Sequence, residues 1–410
     1  MTLLPRRTAV IVFLAFAFTY FFSALLRAIT ATLSPVLTRE FSLHARDLGL
    51  LAGGYFLGFA ATQLPLGTWL DRHGPKKVIL AFLGVAVAGC LAFSMATSFS
   101  GLLVARVLCG VGVSACLMAP LTGFRRWLEP AVQLRANSWM LMTGSLGMVA
   151  STLPVQWLVP VMGWRPLFWG LAALIALSML ILALKVPPWR LAPAPPGESA
   201  GSYAAVWQNA YFRRMVPVGF FSYGGMIAIQ TLWAGPWMVQ VAGRSPVQAA
   251  QGLFIINLAM LGTFWAWGLA NSLLARRGIT TNRLIAWGLP LSLLTLAMVI
   301  VAGSAAGAGA WAIFCVTSTF MSIAQPAVGM AFPPSLAGRA LSAYNLVIFA
   351  GVFTVQWGIG LLIDAFLASG LGVVGAHRAA IGVFLVCSAL SYGWFMLGRR
   401  DNQGNPPHHP

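Results

Sequence analysis

Charge is what this sequence has least of. Asp, Glu, Lys and Arg together make up 8% of its 410 residues, where about 25% is usual for a soluble globular chain. That shortage, set against 59% hydrophobic residues, excludes a water-soluble fold and points to an all-α protein that crosses a bilayer many times. Acids are scarcest of all. There are seven, namely Glu40, Asp47, Asp71, Glu129, Glu198, Asp364 and Asp401, and none lies inside an apolar run, Asp364 sitting at the outer end of one. The five cysteines sit inside apolar runs with no CxxC or Cys/His spacing, so neither a disulfide framework nor a metal site is indicated. No phosphate-binding loop with its lysine occurs, so no cofactor is expected and ATP does not drive this chain directly. Three lysines against twenty-two arginines, with abundant alanine and glycine, hint at a bacterial source.

What is there is apolar length. At roughly 17–25 residues per crossing, twelve spans are expected near 9–34, 48–70, 77–97, 101–123, 137–159, 166–186, 214–239, 248–273, 282–303, 308–331, 340–363 and 378–397. Arg6 and Arg7 before the first run suit a signal peptide, but the run is too long and other spans follow. The spans divide into a six-helix bundle over 1–186 and another over 206–400, joined by a proline-rich connector at 187–205 and followed by a tail at 401–410. Eighteen basic residues fall on one side of the spans and five on the other. That places both termini and the connector in the cytoplasm. The net charge of +18 therefore orients the chain in the lipid bilayer, and no nucleic-acid partner is expected.

The halves repeat. At an offset of 204, Gly58 meets Gly262, Arg72 meets Arg276, Gly74 meets Gly278, Gly84 meets Gly288, Arg135 meets Arg339 and Gly147 meets Gly351. Parallel repeats imply a pseudo-twofold axis along the membrane normal, with a site between the halves near the midplane.

Two arginines lie inside spans. Tyr20, Ser23, Arg27, Thr30 and Ser34 fall within an arc of about 80° on the first helix. A charge at that depth costs roughly 2.5–3.5 kcal/mol to insert, so it is read as functional and inward-facing. Arg106, in the fourth span, starts at a similar depth, roughly 9–11 Å below the outer boundary. Each could instead snorkel to headgroups or cap carbonyls of a neighbouring helix. No carboxylate in the first six spans neutralises them, which calls for an anionic substrate. At an offset of 203 the stripe maps onto Tyr223, Met226, Gln230, Trp233 and Trp237. Tyr20, Tyr223, Gln230, Trp233, Asn257 and Asn345 are therefore expected to line the substrate site with Arg27 and Arg106.

The loop after the second span reads Gly67-Thr-Trp-Leu-Asp71-Arg72-His73-Gly74-Pro75-Lys76-Lys77, and the fourth span carries Arg106-x-x-x-Gly110-x-Gly112. Both resemble signatures of the major facilitator superfamily, G-x-x-x-D-R-x-G-x-[RK]-[RK] and R-x-x-x-G-x-G. The second-half loop keeps Arg276 and Gly278 but has Ala275 in place of the acid. The resemblance implies a twelve-helix transporter whose Gly67, Asp71, Arg72, Gly74, Lys76 and Arg135 form a conformational latch. In it Asp71 would pair with Arg125, Arg126 or Arg135, at the positive start of an eleventh helix beginning near Ala340.

Arg27 with Ser34-Pro35 and Glu40-Phe41 resembles the anion:cation symporters, which implies uptake of an organic anion with a proton or sodium ion. Val113, where that branch commonly has glutamate after the glycine motif, leaves the coupling residue unassigned. The alternative is a proton-coupled exporter of drugs or metabolites, against which the fifth span (TGSLGMVASTLP) lacks a Gly-Pro pair. A non-cycling receptor would lack the loop or carry a large soluble domain. The expectation is thus a monomeric secondary transporter of a bacterial inner membrane, not an enzyme.

Overall fold

The computed structural model describes residues 3–188, 203–277 and 279–401. Most of the expected connector, the tail beyond 401 and Gly278 of the second-half loop lie outside the described residues. Among the described residues every regular element is helical. Of the helices among these residues, ten are long and apolar enough to cross a membrane, and the pair Arg135–Ala150 and Leu153–Met162, bent by 43°, makes an eleventh. A glycine separates one more. Gly74, with φ 77° and ψ 161°, interrupts the element Gln63–Met95, so its first part completes the crossing begun by Ala45–Ala61 and its second part is a crossing of its own. Only glycine adopts such a φ without strain, and Pro75 after it cannot continue the ladder. The count is consistent with twelve.

In chain order these are α1 (Arg6–Phe41), α2 (Ala45–Ala61), α3 (Gln63–Met95), α4 (Phe99–Trp127), α5 (Pro130–Ala150 with Leu153–Met162) and α6 (Trp164–Lys185). The second half is α7 (Ala210–Val241), α8 (Pro246–Arg276), α9 (Thr281–Ala302), α10 (Ala308–Met330), α11 (Pro334–Ala368) and α12 (Val373–Asp401). A short helix, Tyr203–Gln208, precedes α7.

Two boundaries correct the sequence reading. The first helix does not end at Ser34. Pro35 removes the donor that Ala31 would have had, and the Ser34 hydroxyl fills that place by donating to the Ala31 carbonyl at 2.8 Å. The helix therefore continues to Phe41. The eleventh begins at Pro334 rather than near Ala340, because a proline at the first helical position needs no amide hydrogen.

Helix α7 departs from the α period. It alternates short α segments with π turns at Val218–Tyr223, Ile229–Trp233 and Trp237–Val241. Such turns hydrogen-bond i to i+5 and recur at functional sites. Tyr223, Gln230 and Trp233 all sit in them, so the stripe mapped from α1 is rotated relative to a regular helix.

Close approach of helices replaces the hydrophobic driving force that lipid removes. A Cβ on Gly110 would overlap the Tyr55 carbonyl, one on Gly58 the Val107 carbonyl, and one on Gly112 the Ala86 backbone. The R-x-x-x-G-x-G run is thus a packing seam among α2, α3 and α4. Between the halves, α2 lies along α11 in the same manner. Gly49 abuts the Gln356 carbonyl, Gly53 the Phe353 ring, and Gly360 the Ala45 carbonyl.

Candidate functional site

Arg27 lies fourteen residues before the end of α1 at Phe41, about 21 Å along the axis. That is deeper than expected, since the helix runs on past Pro35. Its guanidinium carbon stands 5.6 Å from the ring centre of Phe59 on α2 and 5.8 Å from that of Phe349 on α11. Those two rings touch each other, centroids 4.4 Å apart, across the boundary between the halves. The phenols of Tyr55, Tyr20 and Tyr223 and the Cys116 thiol lie within its electrostatic reach. Its Nε is buried with no hydrogen-bond partner. The centre of the molecule therefore holds a cation faced by π clouds and neutral hydroxyls. Cation–π contact contributes about 0.5–2 kcal/mol, too little to replace a counter-charge.

Sequence reasoning placed Tyr20, Arg27 and Tyr223 together, and the structure brings them together. It missed Tyr55, Phe59 and Phe349. Tyr55 is the central piece. Its hydroxyl donates to the Ser23 carbonyl at 3.1 Å, one turn before Arg27. The Arg106 guanidinium lies 5.1 Å from the centre of its ring. The one signal available for it was a lone phenol among the apolar residues of the second span.

Arg106 is fully buried and donates from Nη1 to the Leu26 carbonyl at 3.0 Å, while its Nε and Nη2 have no partner. Of the two roles open to it, this geometry is the carbonyl cap. It braces the α1 backbone at the residue before Arg27 instead of sharing Arg27's aromatic walls.

The second-half residues make a connected polar wall. Gln230 donates to Asn257 Oδ1 at 2.9 Å, and Asn257 donates to the Leu253 carbonyl at 2.9 Å. Trp233 Nε1 donates to the Gln356 carbonyl at 3.0 Å, and Gln356 Nε2 to Thr231 Oγ1 at 2.9 Å. Asn345 accepts from Gln325 in a separate pair between α10 and α11.

The loop residues are distributed differently from the expectation. Among the described residues Asp71 forms no ion pair within 4 Å, and the cations close enough to act on it are Arg125, Arg126 and Arg339. Arg339, on α11, is the repeat mate of Arg135; Arg135 itself is exposed on α5 and not among those cations. Arg72 is exposed, Lys76 donates to the Val186 carbonyl at 2.7 Å, and Gly67 leaves room for Ser342 of α11. Beside them the Tyr203 hydroxyl donates to the Leu64 carbonyl at 3.1 Å with Arg339 over its ring. Burial holds that phenol above its ordinary pKa, against the pull of Arg339, so it stays a donor.

At the opposite end an acid does bond directly across the halves. Asp364, at the end of α11, accepts from the backbone amides of Ala45 and Arg46 at 3.2 and 3.1 Å. It thus caps α2 from the other half, where the helix dipole favours a negative charge. Glu40, read as part of an acidic-aromatic signature, bonds Trp164 Nε1 at 2.7 Å and pairs with Arg165.

Comparison with known proteins agrees with this architecture. The family model described as Major Facilitator Superfamily matches residues 16–355. The 3-(3-hydroxy-phenyl)propionate transporter of Escherichia coli is 25% identical over 389 residues, 89% of this chain and 88% of that protein. The 4-hydroxybenzoate transporter PcaK of Acinetobacter baylyi is 26% identical over 155 residues, 37% of this chain and 34% of that protein. Among solved structures, a bacterial homologue of the human lysosomal transporter Spinster, inward-facing and unoccupied, superposes with a TM-score of 0.77 at 19% identity, covering 97% of this chain and 98% of that one.

Proposed function

The chain belongs to the major facilitator superfamily, and on that premise we propose that it is a secondary transporter of small organic anions of the aromatic carboxylate type. One observation carries the reading: Arg27, held between Phe59 and Phe349 with its Nε buried, has no acid against it among the described residues. A carboxylate would take the guanidinium in charge-assisted hydrogen bonds. An attached ring would lie against the two phenylalanines, with Tyr20 and Tyr223 offering hydroxyls. The wall of Gln230, Asn257 and Trp233, with Asn345 beyond it, bounds the body of the substrate. Arg106 positions Arg27 through Leu26 and Tyr55. Relatives whose names specify hydroxyphenylpropionate and hydroxybenzoate support the aromatic class.

In this reading the protein is a monomer in the bacterial cytoplasmic membrane with both termini inside. It works by alternating access, its net direction is uptake, and a proton or sodium ion is the coupling partner. Asp71 and Asp364 act at opposite ends of the interface between the halves. The reading is tested by thermal shift of the purified protein with 4-hydroxybenzoate, 3-(3-hydroxyphenyl)propionate and methyl 4-hydroxybenzoate. The two acids raise Tm, the uncharged ester does not, and Arg27→Gln abolishes the response. An equal shift with the ester sinks the anion assignment.

A further inference from the structure

We propose that this protein exchanges one anion for another much faster than it moves anions net, because Arg27 crosses the occluded state readily only with a counter-anion. The inference rests on the reading of Arg27 as the anion site, and extends it from what the site holds to which limb of the cycle is slow.

The argument is an inventory of charge. Glu40 is engaged with Trp164 and Arg165. Asp47 caps the start of α2, and Asp364 joins it there from α11. Asp71 lies among Arg125, Arg126 and Arg339. Glu129 precedes α5, and in the sequence Glu198 falls in the connector and Asp401 at the end of the last span. None of the acids among the described residues is placed beside Arg27. Arg106 adds a second cation to the same bundle, with a carbonyl dipole but no charge opposite it.

Occlusion removes water from Arg27 and leaves Phe59 and Phe349 from the two halves against it. With a carboxylate bound, the pair is neutral and closure is easy. Without one, a desolvated cation faces only π clouds and phenols, and the insertion penalty of a charged side chain corresponds to roughly a hundredfold in rate. The empty carrier therefore returns slowly, and an anion on the far side speeds its return.

The test uses full-length protein in proteoliposomes and labelled 4-hydroxybenzoate. Vesicles preloaded with unlabelled 4-hydroxybenzoate are compared with empty ones, with and without inward proton and sodium gradients. Initial uptake in the preloaded vesicles is expected to exceed the empty ones by on the order of ten- to a hundredfold. Equal rates, or a gradient that lifts empty vesicles to the preloaded rate, overturn the proposal while leaving the anion site intact. No flux in either case, together with no Tm shift, overturns the site itself.

Cys116 supplies a second reading. It is buried within hydrogen-bond reach of Ser23 and electrostatic reach of Arg27. Cys116→Asp places a carboxylate where the empty carrier lacks one. It is expected to raise net uptake relative to exchange while weakening binding of 4-hydroxybenzoate. An unchanged exchange-to-net ratio in a folded Cys116→Asp protein also counts against the proposal.

Discussion

On α1 the polar stripe carries a guanidinium whose Nε has no acceptor, whereas on α7 the matching amide of Gln230 is committed to Asn257, and Trp233 beside it to the Gln356 carbonyl. The two helices occupy equivalent places in a repeated architecture, so backbone alone does not explain the contrast. What differs is how far each side chain's needs are met inside its own half. The first half holds a charge in reserve, whereas in the second the amides and the indole are bonded to one another or to backbone and what is left without a partner is the neutral Gln356 Oε1. A repeat of structure need not be a repeat of chemistry. Substrate can add a strong interaction only where one is missing, which here is on the first-half side.

Exchanging the two residues breaks the comparison most severely. Arg27→Gln is expected to lower saturable 4-hydroxybenzoate uptake about a hundredfold or more, the loss of two charge-assisted hydrogen bonds of about 1.5–3 kcal/mol each. The double variant Arg27→Gln with Gln230→Arg keeps the net charge, yet is expected to stay inactive. Its arginine would stand among Asn257 and the π turns of α7 rather than between Phe59 and Phe349. Recovered uptake in the double variant would show that the halves are interchangeable.

The glycines sharpen the same point in packing. Gly58 and Gly262 match in the repeat, but a Cβ on Gly58 meets the Val107 backbone while one on Gly262 meets nothing within 4 Å. Gly58→Val should cost about 1–3 kcal/mol through overpacking, and Gly262→Val within about 0.5 kcal/mol of nothing. Thermal unfolding of the two variants side by side reads the difference. Similar Tm losses would mean that both sites are equally packed.

These contrasts also mark what the sequence could and could not say. Arg27 was legible because a charge in an apolar run is costly wherever it points, and the loop at Asp71 because its residues are contiguous. The many apolar crossings followed from hydropathy, and the break at Gly74 makes their number consistent with the twelve expected. Tyr55, Phe59 and Phe349 were not legible, since aromatic residues are common in membrane helices and only tertiary packing brings these three to Arg27. Nor were the π turns of α7, whose extra residue per turn is set by packing and leaves no periodic trace. The continuation of α1 past Pro35 depended on a single hydroxyl, that of Ser34, which a proline-stops-helix rule does not count. Of the three arginines expected near Asp71, Arg125 and Arg126 are there and Arg135 is not; its repeat mate Arg339 stands there instead, coming from the opposite half.

The second-half wall can be tested by unpairing it. Gln230→Leu leaves Asn257 Oδ1 without its donor in a buried place and should cost about 1–2 kcal/mol of stability. Adding Asn257→Leu removes the stranded acceptor as well, so the double variant should recover part of the loss. A double-mutant cycle on thermal stability measures the coupling. Strict additivity would mean that the Gln230–Asn257 bond contributes nothing, and that the contrast with Arg27 is only one of charge.

The smallest expected effects come from the two acids at the ends of the interface between the halves, and they should differ in sign. Asp364, from α11, caps the amides that open α2, while Asp71, from α3, lies near Arg339 of α11. Asp364 holds its end through two backbone hydrogen bonds and Asp71 acts on Arg339 through space, so neutralising either is expected to loosen that end alone. A charge at a helix start contributes about 0.3–1 kcal/mol, enough to move a two-state equilibrium roughly two- to fivefold. Asp364→Asn should therefore shift the protein toward opening at the end poor in basic residues, and Asp71→Asn toward opening at the basic end. Single cysteines placed beside each acid would report this as opposite changes in labelling rate. Shifts of the same sign would mean that both acids merely hold the halves together, and that neither distinguishes one open state from the other.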